Sequence, residues 1–147
     1  MIKFELVNNA PIGDCIIKPM RQTELSAGYD FYMPYDVTIQ PNEMALVPTW
    51  IKCKLPRGYY LAMHMRSSIG VKRHIMLANV TGIIDADYYG NEDNDGNIML
   101  PLYNYGNHTV RLQRGERVAQ GIICHHFVTD DDDCRVKRTG GIGSTNG

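Results

Sequence analysis

The chain has 147 residues with 15 Lys+Arg, 16 Asp+Glu and a formal charge of -1, a length that suits one compact domain burying roughly 68–70% of its unfolded surface. That balance lacks the basic excess used to grip a phosphate backbone, which argues against duplex DNA or RNA as a partner. A hydrophobic content of 44% with 21% charged residues argues against intrinsic disorder, while 14 Gly and 7 Pro announce many turns.

At the N-terminus, Ile2, Phe4 and Leu6 alternate with polar neighbours, a strand pattern rather than a basic head followed by an apolar run, so no signal peptide is expected. Alternation returns at Ile51/Cys53/Leu55 and at Leu61/Met63/Met65, and Pro11, Pro19, Pro34, Pro41, Pro48 and Pro56 fall between or at the ends of such runs. Short antiparallel strands in an all-β sandwich or barrel are therefore expected. The helical candidate is residues 67–72, one brief helix with a serine as its cap. Beyond residue 129 the composition turns to Asp130-Asp131-Asp132-Asp133 and then to glycines, dividing the chain into a β domain, 1–129, and a flexible C-terminal arm, 130–147. No stretch approaches the ~20 apolar residues of a membrane span, and the cytoplasm is the expected compartment.

The four cysteines, Cys15, Cys53, Cys124 and Cys134, stand apart without CxxC spacing and read as reduced thiols. Cys124-His125-His126 lacks a second ligand pair at zinc spacing, and neighbours on a strand point to opposite faces, so ordinary strand residues are the better reading. Asn91-Glu92-Asp93-Asn94-Asp95-Gly96 resembles the opening of a calcium loop, but its twelfth position is Leu102 where a bidentate Glu is needed. It reads as a solvated loop.

Three clusters carry chemistry. In residues 78–90 an apolar strand runs into Asp85, Asp87, Tyr88 and Tyr89, placing acids at a strand end; the pattern fits either a water-activating acid or a plain hairpin with Asp at its turn. Arg66-Ser67-Ser68 sets a guanidinium and two hydroxyls beside a helix start, suited to an anion or to a capped surface helix. The Gly-rich end, preceded by Lys137-Arg138, could wrap phosphates with its amides or trail as a tail.

In register along the chain, Ala27-Gly28-Tyr29-Asp30-Phe31-Tyr32, Arg66-Ser67-Ser68, residues 79–90, Gly115-Glu116-Arg117-Val118-Ala119-Gln120 and Gly140-Gly141-Ile142-Gly143-Ser144-Thr145 resemble the five short motifs of the homotrimeric dUTPase family. The resemblance implies a distorted β-barrel or jelly-roll subunit, three of which share active sites closed by the C-terminal arms. Each site would be closed by the arm of another subunit. The resemblance also implies hydrolysis of dUTP to dUMP and pyrophosphate, which limits uracil in DNA and supplies dUMP for thymidylate synthesis. Asp85 would activate the water near the sugar 3′-OH, and Gln120 would stand near the α-phosphate or that water. Arg66, Ser67, Ser68, Arg138, Gly141 and Ser144 would meet the phosphates. The backbone of residues 79–84, with Asn79, Gly82 and Ile84, would read the uracil edge and refuse cytosine's amino group. Met99 would line the base site, and Tyr88 would pack on the deoxyribose and exclude a 2′-hydroxyl. Asp30 would hold, through water, a Mg²⁺ that arrives with the triphosphate.

Two departures stand out. Residues 91–97 look longer than the simplest family hairpin and are expected to lengthen a turn without changing chemistry. Ile142 occupies the place of an aromatic that covers the uracil, and Arg138 lies one residue nearer the glycines than usual. The rival activities are a dCTP deaminase of the same subunit fold, which needs an acid at the base ring, and a non-catalytic β-sandwich binding module, which would be expected to lose Asp85, Arg66 or Gln120.

Overall fold

The computed structural model describes residues 1–11 and 16–143. Among them the elements run β1 (Lys3–Leu6), β2 (Gly28–Tyr32), β3 (Val37–Ile39), β4 (Met44–Pro48), β5 (Ile51–Lys54), β6 (Tyr59–Met65), α1 (Ser67–Arg73), β7 (Ile75–Leu77), β8 (Gly82–Asp85), β9 (Met99–Asn104), β10 (Val110–Leu112) and β11 (Arg117–His125), with a 3₁₀ turn at Ala86–Tyr88. Every pairing is antiparallel, as the short proline-punctuated runs require. A four-stranded sheet in the order β2-β11-β6-β8 faces a three-stranded one, β4-β9-β7, and β1-β5 and β10-β3 form two ribbons. The architecture is the expected all-β, jelly-roll-like one with a single short helix. No closed barrel forms among the described residues: of the two forms expected, distorted barrel or jelly roll, the sheets take the jelly-roll-like one and keep their edges.

The core lies between the sheets. Along β9, Leu100, Leu102 and Asn104 turn inward while Met99, Pro101 and Tyr103 alternate outward, the period of two expected of a strand with one buried face. Phe31, Leu61, Met63, Ile75 and Leu112 complete the interior at 1% exposure or less. Burying side chains of this size contributes about 1.5–3 kcal/mol each. Cys53 belongs to this interior, and burial pushes its thiol up to about 12, so it is a core residue rather than a nucleophile.

The hairpin expected over residues 78–90 is absent in one respect that matters. β7 pairs with β9 and β8 pairs with β6, so residues 78–81 carry the chain from one sheet to the other instead of joining two paired strands. This crossing opens the space that a closed hairpin would fill. The cap of α1 also differs: the N-cap is Arg66, with no side-chain hydrogen bond at that cap, and the helix closes through the Ile69 and Gly70 amides on the Arg66 carbonyl.

Candidate active site

The crossing at residues 78–81 is held by the Val80 amide donating to Leu77 O at 2.8 Å and the Thr81 amide donating to Asn79 O at 2.7 Å. Val80 sits at φ 65°, a left-handed conformation that β-branched residues rarely adopt and that costs about 1–3 kcal/mol. Strain of that kind is kept where a backbone must present its own donors and acceptors. Here the turn forms one wall of a cavity of about 580 Å³ that also takes in Met63, Gly82, Ile84, Tyr88, Met99 and Ile142. The lining is largely apolar, with Asn79 and Arg138 as its polar side chains, the composition of a site for a flat, partly polar ligand.

Tyr88 is 6% exposed. Its hydroxyl donates to Asn97 O at 3.0 Å and accepts from Asn94 Nδ2 at 2.8 Å, which fixes the ring as a rigid wall. Burial raises its phenol above the ordinary range, so the group stays neutral. At the end of β8, Asp85 is half-exposed in an open groove lined also by Arg57, Asp87, His126 and Arg138, and Arg138 is shared with the apolar cavity. Arg138 Nη2 lies 2.7 Å from Asp85 Oδ2, and its Nε 3.0 Å from Asp87 Oδ1. Its guanidinium also stands 5.8 Å from the centre of the Tyr88 ring. The arm therefore returns to its own domain: residues 126–137 are exposed, with a turn closed by the Asp132 amide on Thr129 O at 3.1 Å, Gly140 and Gly141 are buried, and Gly141 lines the cavity.

The other half of the predicted set converges elsewhere. β11 places Gln120 opposite Asp30 of β2 on one side and His64 of β6 on the other. A register irregularity falls between Arg117 and Ala119, a feature common beside active sites. Asp30 is 7% exposed, and its two oxygens face Arg66 Nε at 3.4 Å and Arg117 Nη1 at 3.1 Å. With Ser67 and Gly28 these residues line a small polar pocket, while Ser68 follows on α1. A Cβ at Gly28 would overlap the Gln120 side-chain oxygen, so the glycine makes the space in which that amide lies.

The structure thus gathers Asn79, Gly82, Ile84, Asp85, Tyr88, Met99, Arg138, Gly141 and Ile142 into one locus and Asp30, Arg66, Ser67 and Gln120 into another. It does not bring the two together. Asp85 pairs with Tyr60 at the far end of β6, and six residues at 3.3 Å each put Arg66 about 20 Å away along the strand. Ser144 lies outside the described residues, as does Cys15. For a metal, the donor set is telling: no cluster of three or more His, Cys, Asp or Glu able to hold an ion occurs among the described residues, and Asp30 is engaged by two guanidinium groups. The residues present do not make a resident cation cage, so a metal fits only as part of a bound polyphosphate.

Sequence reasoning named Gly28, Arg117 and Asp87 within its motifs but gave them no role in the site. Gly28, two residues before Asp30, was visible as part of a motif, but only the fold places Gln120 against it. No helix among the described residues is long and apolar enough to cross a membrane.

A family model described as dUTPase matches residues 14–146 of the chain. The deoxyuridine 5′-triphosphate nucleotidohydrolase of Lactococcus lactis subsp. lactis is 42% identical over 129 residues, spanning 86% of this chain and 86% of its own. The protein of that name from Escherichia phage T5 is 32% identical over 158 residues, spanning 99% and 98%. Among solved structures, the crystal structure of dUTPase from Streptococcus mutans superposes with a TM-score of 0.79 at 36% identity, covering 86% of this chain and 98% of that one.

Proposed function

The chain belongs to the dUTPase family, and from that premise we propose that it hydrolyses dUTP to dUMP and pyrophosphate in the cytoplasm. The observation that carries the reading is the apolar cavity beside the 78–81 crossing, with Tyr88 as its wall and Arg138 joining it to the groove that holds Asp85. Uracil enters with its edge against the backbone of residues 79–84, and a methyl or an amino group on the base meets a surface shaped against it. Tyr88 packs on the deoxyribose, where its locked ring leaves no space for a 2′-hydroxyl.

The chemistry is a displacement at the α-phosphorus. Asp85 takes a proton from the attacking water, a new P–O bond forms at the α-phosphorus, and the bond to the β-bridging oxygen breaks to release pyrophosphate. Arg138 rests on Asp85 and Asp87 before substrate binds. It exchanges those carboxylates for phosphate oxygens on binding, which frees Asp85 to act as base. Arg66, Ser67, Ser68 and Gln120 receive the triphosphate, and the substrate's own Mg²⁺ meets Asp30 through water. Because the acid and the phosphate residues stand at opposite ends of β6, one chain supplies both halves but completes neither site. A homotrimer with sites shared between subunits joins them.

The test is incubation with Mg²⁺ and dUTP, dCTP, dTTP or UTP while pyrophosphate and ammonia are followed. Pyrophosphate from dUTP alone is the expected result. Ammonia from dCTP would make the protein a deaminase, and silence with all four would make it a binding module.

A further inference from the structure

Residues 91–97 read in sequence as a solvated turn, but the asparagines at its two ends are turned inward while Glu92 and Asp93 stay exposed. Asn91 and Asn97 are 8% and 5% exposed. Asn91 Oδ1 accepts the amides of Asp93 and Asn94, both at 3.1 Å, and its Nδ2 donates to Tyr88 O and to Asn94 Oδ1, both at 2.8 Å. Gly96 adopts φ +84°, and a Cβ there would stand 2.9 Å from Tyr88 O, so the loop lies directly on the 88–90 backbone. Its far side is pinned to β5 by Lys52 Nζ and Asp95 Oδ2 at 2.7 Å, and to Trp50 by that residue's amide donating to Asn97 Oδ1 at 2.9 Å. A loop that only lengthened a turn would need none of this.

Two side chains on the frame reach the site. Asn94 Nδ2 holds the Tyr88 hydroxyl at 2.8 Å. The same amide borders Gly141, where an added Cβ would meet it at 3.3 Å. Asp93 Oδ2 accepts the Gly141 amide at 2.7 Å, a charge-assisted bond of roughly twice the strength of a neutral one. We propose that residues 91–97 are the seat on which the C-terminal arm closes, with Asp93 latching the arm through the Gly141 amide and Asn94 tying that closure to the Tyr88 ring. Both act as positioning residues. The latch grips backbone, so it holds the arm whatever side chain stands at position 142.

The kinetic consequence rests on the dUTP reading above, whereas the contact itself does not, and the experiment keeps them apart. Exchange of the Gly141 amide hydrogen is measured by NMR in the full-length protein and in Asp93→Ala and Asp93→Asn. Asp93 is exposed, so neither change disturbs the core. Protection in the native chain should fall about tenfold or more in Asp93→Ala and persist in Asp93→Asn, whose side-chain oxygen still accepts. With dUTP, Asp93→Ala should raise KM about tenfold while kcat falls less, and Asp93→Asn should restore it. Gly141→Ala, which presses on the Asn94 amide, should reduce the preference for dUTP over UTP severalfold. Equal exchange in the native chain and Asp93→Ala overturns the latch. An unchanged dUTP preference in Gly141→Ala removes the tie through Asn94. A native chain inert toward dUTP defeats the proposed activity, and the exchange comparison then decides the latch alone.

Discussion

Along the β6–β8 pairing, the apolar cavity and the strained backbone crossing lie beside Met63, and at the Tyr60 end stands a carboxylate covered by an arginine from the arm. At the Met65 end, Asp30, Arg66, Arg117 and Gln120 converge in a smaller pocket lined by charged and polar side chains. The first region is shaped for a base and a sugar, and its selectivity comes from backbone and packing. The second is built from charge, and it needs a preorganised guanidinium: Asp30 holds Arg66 in place and Arg117 shares the load. The acid of the first region stands about 20 Å from Arg66 of the second along β6, which teaches that within one chain the fold separates the acid from the phosphate-binding arginine; on the proposed reading, assembly reunites them.

The sharpest way to break that comparison is at the acid. Asp85→Asn should leave dUTP binding and folding intact and lower kcat roughly 10²- to 10⁴-fold, the usual worth of a positioned general base. Near-normal turnover in a variant whose circular dichroism matches the parent would place the base elsewhere. Arg66→Ala should be comparably inactive, from the other region. If the regions meet across subunits, refolding the two dead variants together should recover about one quarter of native activity, because a working site then needs a sound acid from one chain and a sound arginine from another. No recovery on mixing would confine each site to a single chain.

A smaller effect tests how firmly the nucleoside side is built. Lys52 is 7% exposed, and Asp95 neutralises it. Burial alone would raise the Asp95 carboxyl, but the Lys52 ammonium and the Asn8 amide outweigh it and hold the carboxyl below its ordinary 3.8. A group depressed in the folded state contributes stability that is complete above its unfolded value and is lost as pH falls through the folded one. Asp95→Ala should therefore cost about 2 kcal/mol at neutral pH, seen as a lowered Tm. The gap between variant and parent should close as pH drops below 3.8. A constant gap across that range would mean the ion pair is not the cause.

Legibility in the sequence followed the same divide. Strand alternation and prolines were enough for the all-β class, because period-two burial is local. Motif order sufficed for the family, and Tyr88, Asp85 and Arg66 each stand in a described pocket or ion pair. What the sequence hid was relation. Nothing in residues 75–85 tells that β7 and β8 join different sheets, since either strand would alternate the same way in a hairpin. Residues 91–97 looked solvated because Asn and Asp are usually exposed; their burial depends on a network that closes only once Tyr88, Trp50 and Lys52 surround them. Asp30 read as a metal group because carboxylates in such motifs accompany polyphosphates, and its two arginine partners come from β11 and from the start of α1, remote in sequence.

The smallest expected effect lies at Ile142, which lines the mouth of the apolar cavity and is 70% exposed. Isoleucine can shed water over a bound base by its apolar area, but it has no π-face to stack, and stacking on a base is worth about 1–3 kcal/mol. Much of that is already matched by the aliphatic contact, so Ile142→Phe should lower KM for dUTP by only about three- to tenfold. Because base covering acts equally on bound substrate and transition state, kcat should change by less than about twofold. The arm's phosphate role is separate and is read by deleting residues 140–147, which removes the seated glycines along with Ile142 and should abolish most turnover. A deletion variant of full activity would reduce the arm to a tail. If the deletion is inactive and Ile142→Phe leaves KM unmoved, the arm serves the phosphates and the latch alone, and the base is covered by the 78–81 crossing without it.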